Sequence, residues 1–133
     1  MTLKDRIKII PRRLIKDDRG WFFKAITGTE DNIPNHTGEV YLTMGKPGQI
    51  KGGHYHPEAV EWFTVIEGNA VLRLEDIDSK ERIEIPMSLE DAKSVYVPNN
   101  IAHDFKNVGD TDFIVIAYTD RLYDPKDTIA YKL

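Results

Sequence analysis

The sequence predicts an all-β domain, a sandwich or barrel of many short strands, and three observations carry that reading. Short stretches rich in β-branched and aromatic residues recur along the chain, most of them bounded by Gly, Pro, Asn or Asp. Residues 88–93 (SLEDAK) alone have helical composition, and that stretch is short. Several of the expected strands are apolar on both faces, which calls for covering on both.

In chain order, residues 20–26 (GWFFKAI) follow a turn and carry Trp21, Phe22 and Phe23. Residues 39–44 (EVYLTM) hold Val40, Tyr41 and Leu42 in succession. In 61–67 (EWFTVIE), Phe63 and Val65 oppose Trp62 and Ile66, and Gly68 ends the run. The next strands are expected at 69–77 (NAVLRLEDI) and 81–85 (ERIEI), then at 94–98 (SVYVP), where Pro98 stops the ladder. They are followed by 103–107 (HDFKN) and 112–119 (DFIVIAYT). In the last, Phe113, Val115 and Ala117 take one face and Ile114, Ile116 and Tyr118 the other. One such face can line a barrel. The second must leave water under another layer or a partner subunit, so a two-fold homodimer is expected.

The 133 residues fit a single domain spanning 1–133. The chain has no cysteine, which excludes disulfides, thiolate metal sites and cysteine nucleophiles and suits a reducing cytoplasm. The first ten residues, MTLKDRIKII, carry charges where a signal peptide needs an apolar stretch. The longest clean apolar run, Phe113 to Tyr118, is too short to cross a bilayer, so no membrane partner and a cytoplasmic location are expected. Net charge is −4 with no basic stripe, which argues against nucleic acid. An anionic small molecule remains open where the local field is positive.

Two of the four histidines stand one residue apart, at His54 and His56. Strand side chains alternate, so both point to one side if 54–56 is extended. Glu61 has the opposite parity, but Pro57 breaks the strand, and a turn through Pro57–Val60 can aim the Glu61 carboxylate back at the imidazoles. If the strand of His103 neighbours the first pair, three imidazoles and a carboxylate converge. Such a set suits zinc, Fe(II), Mn, Co or Ni, with one or two positions left for water or substrate. His36, in NIPNHTG, reads as an ordinary loop residue.

These residues resemble the two motifs of metal-binding cupins. Gly48, His54, His56, Glu61 and Gly68 keep every spacing of the first motif. Pro98, His103 and Asn107 match the second, with Ala92 and Asn100 in place of its glycines. Asn is the best substitute for Gly where the backbone is left-handed. The resemblance implies a double-stranded β-helix, the cupin jelly-roll barrel, in one domain. It would comprise N-terminal strands and an arm (1–38), a barrel core with both motifs (39–119) and a C-terminal tail (120–133). It also implies a divalent metal, zinc first, on His54, His56, Glu61 and His103.

A narrower resemblance covers nearly the whole chain. DDRGWFF (17–23), IKGGHYH (50–56), YVPNNIAHDF (96–105) and YDPKDTIAYKL (123–133) are similar to segments of nucleotide-sugar epimerases of the dTDP-4-dehydrorhamnose 3,5-epimerase type and of related ketoisomerases. The full ligand set also resembles the C-terminal cupin domain of bifunctional capsular-polysaccharide UDP-sugar epimerase/reductases. The implied activity is a sugar-nucleotide epimerase or isomerase acting on a nucleoside diphosphate 4-keto-6-deoxy sugar for surface polysaccharide. His54 matches the family's catalytic histidine, although a metal-bound imidazole is not free to act as base. Tyr41, Tyr96 and Tyr118 are candidate acids or bases, with Tyr118 placed at the catalytic centre. Arg19 and Lys51 match positions that contact the nucleotide diphosphate. Arg73, on an otherwise apolar strand, either joins them or faces solvent. Two other functions compete: a non-haem iron dioxygenase using His54, His56 and Glu61, and a binding module without turnover.

Overall fold

The computed structural model describes residues 1–35 and 38–133, so His36 lies outside the described residues. A short helix, α1 (Leu3–Arg6), precedes β1 (Lys8–Pro11), β2 (Ile15–Asp17), β3 (Gly20–Phe22), β4 (Val40–Gly45) and β5 (Ile50–Tyr55). Then come β6 (Glu61–Glu67), β7 (Asn69–Asp76), β8 (Arg82–Ser88), β9 (Lys93–Val97), β10 (Ile101–Asn107) and β11 (Phe113–Thr119). A 3₁₀ turn (Pro125–Asp127) and β12 (Ile129–Ala130) close the described order.

Two five-stranded sheets form, in the orders β1-β9-β6-β11-β4 and β12-β5-β10-β7-β8, and β2 pairs with β3 as a separate hairpin. All the ladders are antiparallel. The sheets bury their inner faces against each other: Phe63 and Val65 from one meet Leu72, Leu74 and Phe105 from the other. The Phe63 and Phe105 rings stand edge to face at 5.1 Å. This is the jelly-roll barrel that the motifs imply.

Local signals explain most of the turns. Asn100 takes φ +63 between β9 and β10, the left-handed conformation for which the motif keeps a glycine. Asn107 ends β10 by donating to the carbonyls of Gly45 and Thr111 and accepting from the Gly109 amide. The stretch of helical composition at 88–93 forms a turn. β8 runs through Ser88 and β9 begins at Lys93, which leaves too few residues for a helix, and the Asp91 amide bonds the Ser88 hydroxyl at 3.2 Å. The helix that does form lies at the N-terminus, where Thr2 and Asp5 cap each other's amides.

The two-faced strands divide as alternation requires. Phe113, Val115 and Ala117 line the core. Ile114, Ile116 and Tyr118 turn outward beside Val40, Leu42 and Met44, which are 59%, 64% and 45% exposed. The N-terminal segment covers another part of this outer face: the Trp62 ring is buried and its indole N–H donates to the Asn32 carbonyl at 3.1 Å.

Candidate functional site

The site begins at an irregularity in β5. Gly52 and Gly53 have φ +99 and +90, and a Cβ on Gly52 would lie 3.1 Å from the His103 carbonyl. Glycine is needed there both for the backbone and for the close approach. The ladder between β5 and β10 slips by one residue beside these glycines, which sets His54 directly opposite His103. Residues opposite each other in a ladder share a face, so both imidazoles point into the barrel.

The chain then turns through Pro57–Val60 and crosses to the other sheet, where β6 starts at Glu61. Four groups hold this turn. The Asn99 side chain donates to the Pro57 carbonyl at 2.9 Å, and the Asn100 amide to the His56 carbonyl at 2.9 Å. The Asp127 carboxylate accepts the amides of Glu58 and Ala59, and Asp120 accepts that of Val60. Glu61 thereby faces the histidines across the barrel. Its Oε1 lies 2.9 Å from His56 Nε2 and 3.4 Å from His103 Nε2. The ligand nitrogens of His54, His56 and His103 all lie within 4.8 Å of one another.

The polar partners fix what these nitrogens offer. His56 Nδ1 contacts the Asp127 carbonyl at 2.8 Å, and His103 Nδ1 the Ile101 carbonyl at 3.1 Å. A carbonyl only accepts, so each Nδ1 carries a proton, and in a neutral ring the Nε2 lone pair would face Glu61. Lone pair then faces lone pair. Glu61 Oε1 and His103 Nε2 are buried with no hydrogen-bond partner among the described residues. A cation between them satisfies both, whereas a proton on His56 Nε2 serves Glu61 Oε1 and leaves His103 Nε2 without a partner. Burial alone would raise the Glu61 pKa, but His103 and His56 beside it hold the carboxyl well below its usual range. Burial would lower His56, and the Glu61 carboxylate more than offsets this, so its pKa rises. His54 is pulled down to about 4, first by burial and then by repulsion from His103 and His56, and stays neutral.

Above these groups opens a cavity of about 310 Å³, within the range that takes small ligands. Tyr41 stands in its wall and donates to Glu61 Oε2 at 2.6 Å. Burial and the neighbouring Glu61 charge raise its pKa, so the phenol keeps its proton. The other candidates do not meet here. Tyr118 lies on the outer face of β11, in a separate groove with Trp62 and Ile116, because Ala117 and Thr119 take the inward positions. The tyrosine brought to the carboxylate is Tyr41, not Tyr118. Tyr96 packs on Trp62, its ladder partner, at 5.4 Å on that same outer side. Arg19 sits at the β2–β3 turn with its side chain 90% exposed and paired to Asp17. Lys51 is exposed and does not line the cavity. Arg73 neither joins the site nor stands free in solvent. It forms a bidentate pair with Asp104 at 2.7 and 2.6 Å, and Asp104 alternates with His103 onto the opposite face of β10.

Two residues of the site were not among the sequence candidates. Arg121 is the basic side chain that lines the cavity among the described residues, and Asp127 carries His56. Proximity in sequence could not have found either role, since Asp127 is 71 positions from its histidine.

Comparison with known proteins agrees with this architecture. The chain aligns over 128 residues with the spore coat polysaccharide biosynthesis protein SpsL of Bacillus subtilis, at 30% identity, covering 91% of this chain and 83% of SpsL. The capsular polysaccharide assembling protein CapF of Staphylococcus aureus superposes with a TM-score of 0.69 at 32% identity, over 92% of this chain. This chain spans about a third of CapF, 35% of its length. An RmlC from Legionella pneumophila, solved with dTDP-4-keto-L-rhamnose, shares the fold with a TM-score of 0.83, at 18% identity over 95% of this chain and 72% of its own. Residues 15–131 match the family model of the polysaccharide biosynthesis C-terminal domain, and the chain belongs to that family, with a cupin-type barrel.

Proposed function

We propose that the protein is a divalent-metal-dependent epimerase or isomerase of a nucleoside diphosphate 4-keto-6-deoxy sugar, serving surface polysaccharide synthesis. The observation that carries the reading is the buried pair of partnerless atoms, Glu61 Oε1 and His103 Nε2, at the foot of a cavity of ligand size. Three imidazole nitrogens and one carboxylate fit a borderline divalent ion, with zinc expected first and Fe, Mn, Ni or Co sharing the donor preference. His54, His56, Glu61 and His103 would hold it. When bound, the ion would supply Lewis acidity next to a ketone, which acidifies the neighbouring C–H. The substrate class follows from family membership and from the RmlC likeness, whose bound sugar nucleotide carries a 4-ketone.

The chain's own groups have matching tasks. Tyr41 stays protonated and borders the cavity, as an acid must before it returns a proton. The Glu61 carboxylate holds the phenol in place. Arg121 supplies a positive charge for a diphosphate in the cavity wall. The exposed apolar face of Val40, Leu42 and Met44 is the surface we assign to a homodimer in the cytoplasm, with a buried interface above about 1,000 Å². A second reading rests on His54. It is neutral and cavity-lining, so it can serve as the base without a metal.

Metal analysis and isotope exchange test the proposal. Wild type should carry a divalent ion, and Glu61→Ala should lose most of it while keeping a folded barrel. Equal metal in both would overturn the ligand assignment. Incubation with UDP- or dTDP-linked 4-keto sugars in deuterium oxide should place deuterium at C3. Exchange by protein without metal favours His54 as the base. No exchange by metal-loaded protein overturns the epimerase reading and moves weight to an oxygenase or a binding module.

A further inference from the structure

The tail beyond β11 approaches the site through one residue with three polar contacts on it. Asp127 is buried, at the end of the 3₁₀ turn that starts where Asp124 accepts the Lys126 amide. Its two carboxylate oxygens take separate amides, Glu58 at 2.8 Å and Ala59 at 3.0 Å. Its backbone carbonyl meets His56 Nδ1 at 2.8 Å. One residue therefore holds both His56 and the turn that separates His56 from Glu61. The tail is kept in register just beyond, where β12 pairs with β5 and the Tyr131 amide donates to the Gly53 carbonyl at 2.9 Å.

We propose that Asp127 is the positioning residue of the centre: it fixes the tautomer and direction of His56, so that Nε2 rather than Nδ1 faces Glu61. The proposal rests on the metal-site reading above for its consequence, and on geometry alone for its cause. Imidazole ligands are held by a hydrogen bond to the nitrogen that does not bind metal, and loss of such a partner typically lowers metal affinity about 10–100-fold. Here the partner is a main-chain carbonyl, which no substitution removes. The side chain controls it indirectly, by anchoring residue 127 to the amides of the turn. The carboxylate suits this because it accepts both amides at once, with a charge-assisted bond to each. His103 is the internal control, since its Nδ1 partner, Ile101, lies in its own strand and owes nothing to the tail.

The 133-residue chain is compared with Asp127→Ala and Asp127→Asn in two assays. Long-range ¹H–¹⁵N spectra of metal-free protein, at a mildly alkaline pH where imidazoles are neutral, report each tautomer. Wild type should show His56 and His103 with the proton on Nδ1. In Asp127→Ala the His56 signal should move toward a mixture of tautomers while that of His103 stays. Zinc affinity, measured by competition with a chromophoric chelator, should fall about 10–100-fold in Asp127→Ala and less in Asp127→Asn. A merely structural aspartate would lower the melting temperature and leave both readouts of the folded protein unchanged, which overturns the proposal. If Asp127→Ala does not fold, Asp127→Asn decides, because it keeps the shape and loses one acceptor. If wild type binds none of zinc, iron, manganese, nickel or cobalt, the metal reading fails, and the tautomer of His56 still decides the role of Asp127.

Discussion

Both ends of the chain add a strand to a sheet edge, and they serve different purposes. At the N-terminal end, β1 pairs with β9, and Arg12 pins the segment that follows. Its guanidinium reaches the Ser94 hydroxyl, the Ala25 carbonyl and the Glu30 carboxylate. None of residues 1–35 lines the cavity. At the C-terminal end, β12 pairs with β5, the strand that carries His54, and residues 121–124 and 127–128 form cavity wall. The same device yields stability at an edge remote from the ligands and yields a binding site at the edge beside them. The contrast predicts separable damage.

The largest effect is expected from Glu30→Gln. The Arg12–Glu30 pair is buried, with side chains only 9% and 3% exposed at 2.5 Å. Burial would raise the Glu30 pKa, but the amides of Thr27 and Glu30, the Arg12 guanidinium and the Thr27 hydroxyl hold it down to about 2, from an ordinary 4.5. That difference corresponds to about 3 kcal/mol, in line with the loss when a buried pair is broken. Because the folded pKa is the lower one, this stability is complete above about 4.5 and is lost as pH falls towards 2. Denaturation should show Glu30→Gln less stable at neutral pH and the gap to wild type closing over that acid window. Metal content and the His56 spectrum should not change. A gap that stays constant with pH would show that the carboxylate is not the titrating group.

A smaller and mixed effect is expected from Tyr131→Phe at the other end. The Tyr131 hydroxyl donates to Glu75 and accepts from Lys80 Nζ. Its loss should cost about 1.5 kcal/mol, the scale of a hydrogen bond to a charged group. Unlike Glu30→Gln, it should also weaken metal retention, because the segment it frays carries Asp127. Unchanged zinc affinity with lower stability would show that the tail's grip on His56 does not depend on its outer anchor.

Most of the strands and the ligand spacing were legible because they are written locally, whereas the short edge strands β1 and β12 were not singled out. The spacing of His54, His56 and Glu61 anticipated a turn after Pro57 that returns the carboxylate, and the turn lies there. The placing of Tyr118 was not legible, for a physical reason. Residues 113–118 are apolar on both faces, so alternation separates two sets without saying which faces inward. β4 carries the ambiguity further: Val40, Leu42 and Met44 face out, while Tyr41 and Thr43 share the side of Ala117 and Val115. Hydrophobicity alone would have put the wrong set inside. Arg73 needed the ladder that sets it opposite Asp104, thirty-one residues away. Asp127 acts largely through its backbone and its position, which no side-chain motif encodes.

The smallest effect should come from Arg121→Ala, and it isolates the binding role of the C-terminal end. Arg121 pairs with Glu58 at 3.0 Å, but the two side chains are 41% and 67% exposed, so the pair adds little to folding. The same exposure leaves the guanidinium free to exchange Glu58 for a diphosphate entering the cavity. Solvent screens that contact too, so its loss should cost about 1 kcal/mol, roughly a fivefold rise in the dissociation constant for UDP. The melting temperature and the bound metal should stay as in wild type. Calorimetric titration with UDP beside a thermal melt separates the cases. Unchanged affinity would remove Arg121 from the diphosphate site and return attention to Arg19 and Lys51. A drop in melting temperature without a change in affinity would make residue 121 a stabilising tether of the N-terminal kind, and the contrast between the two ends would fail at this position.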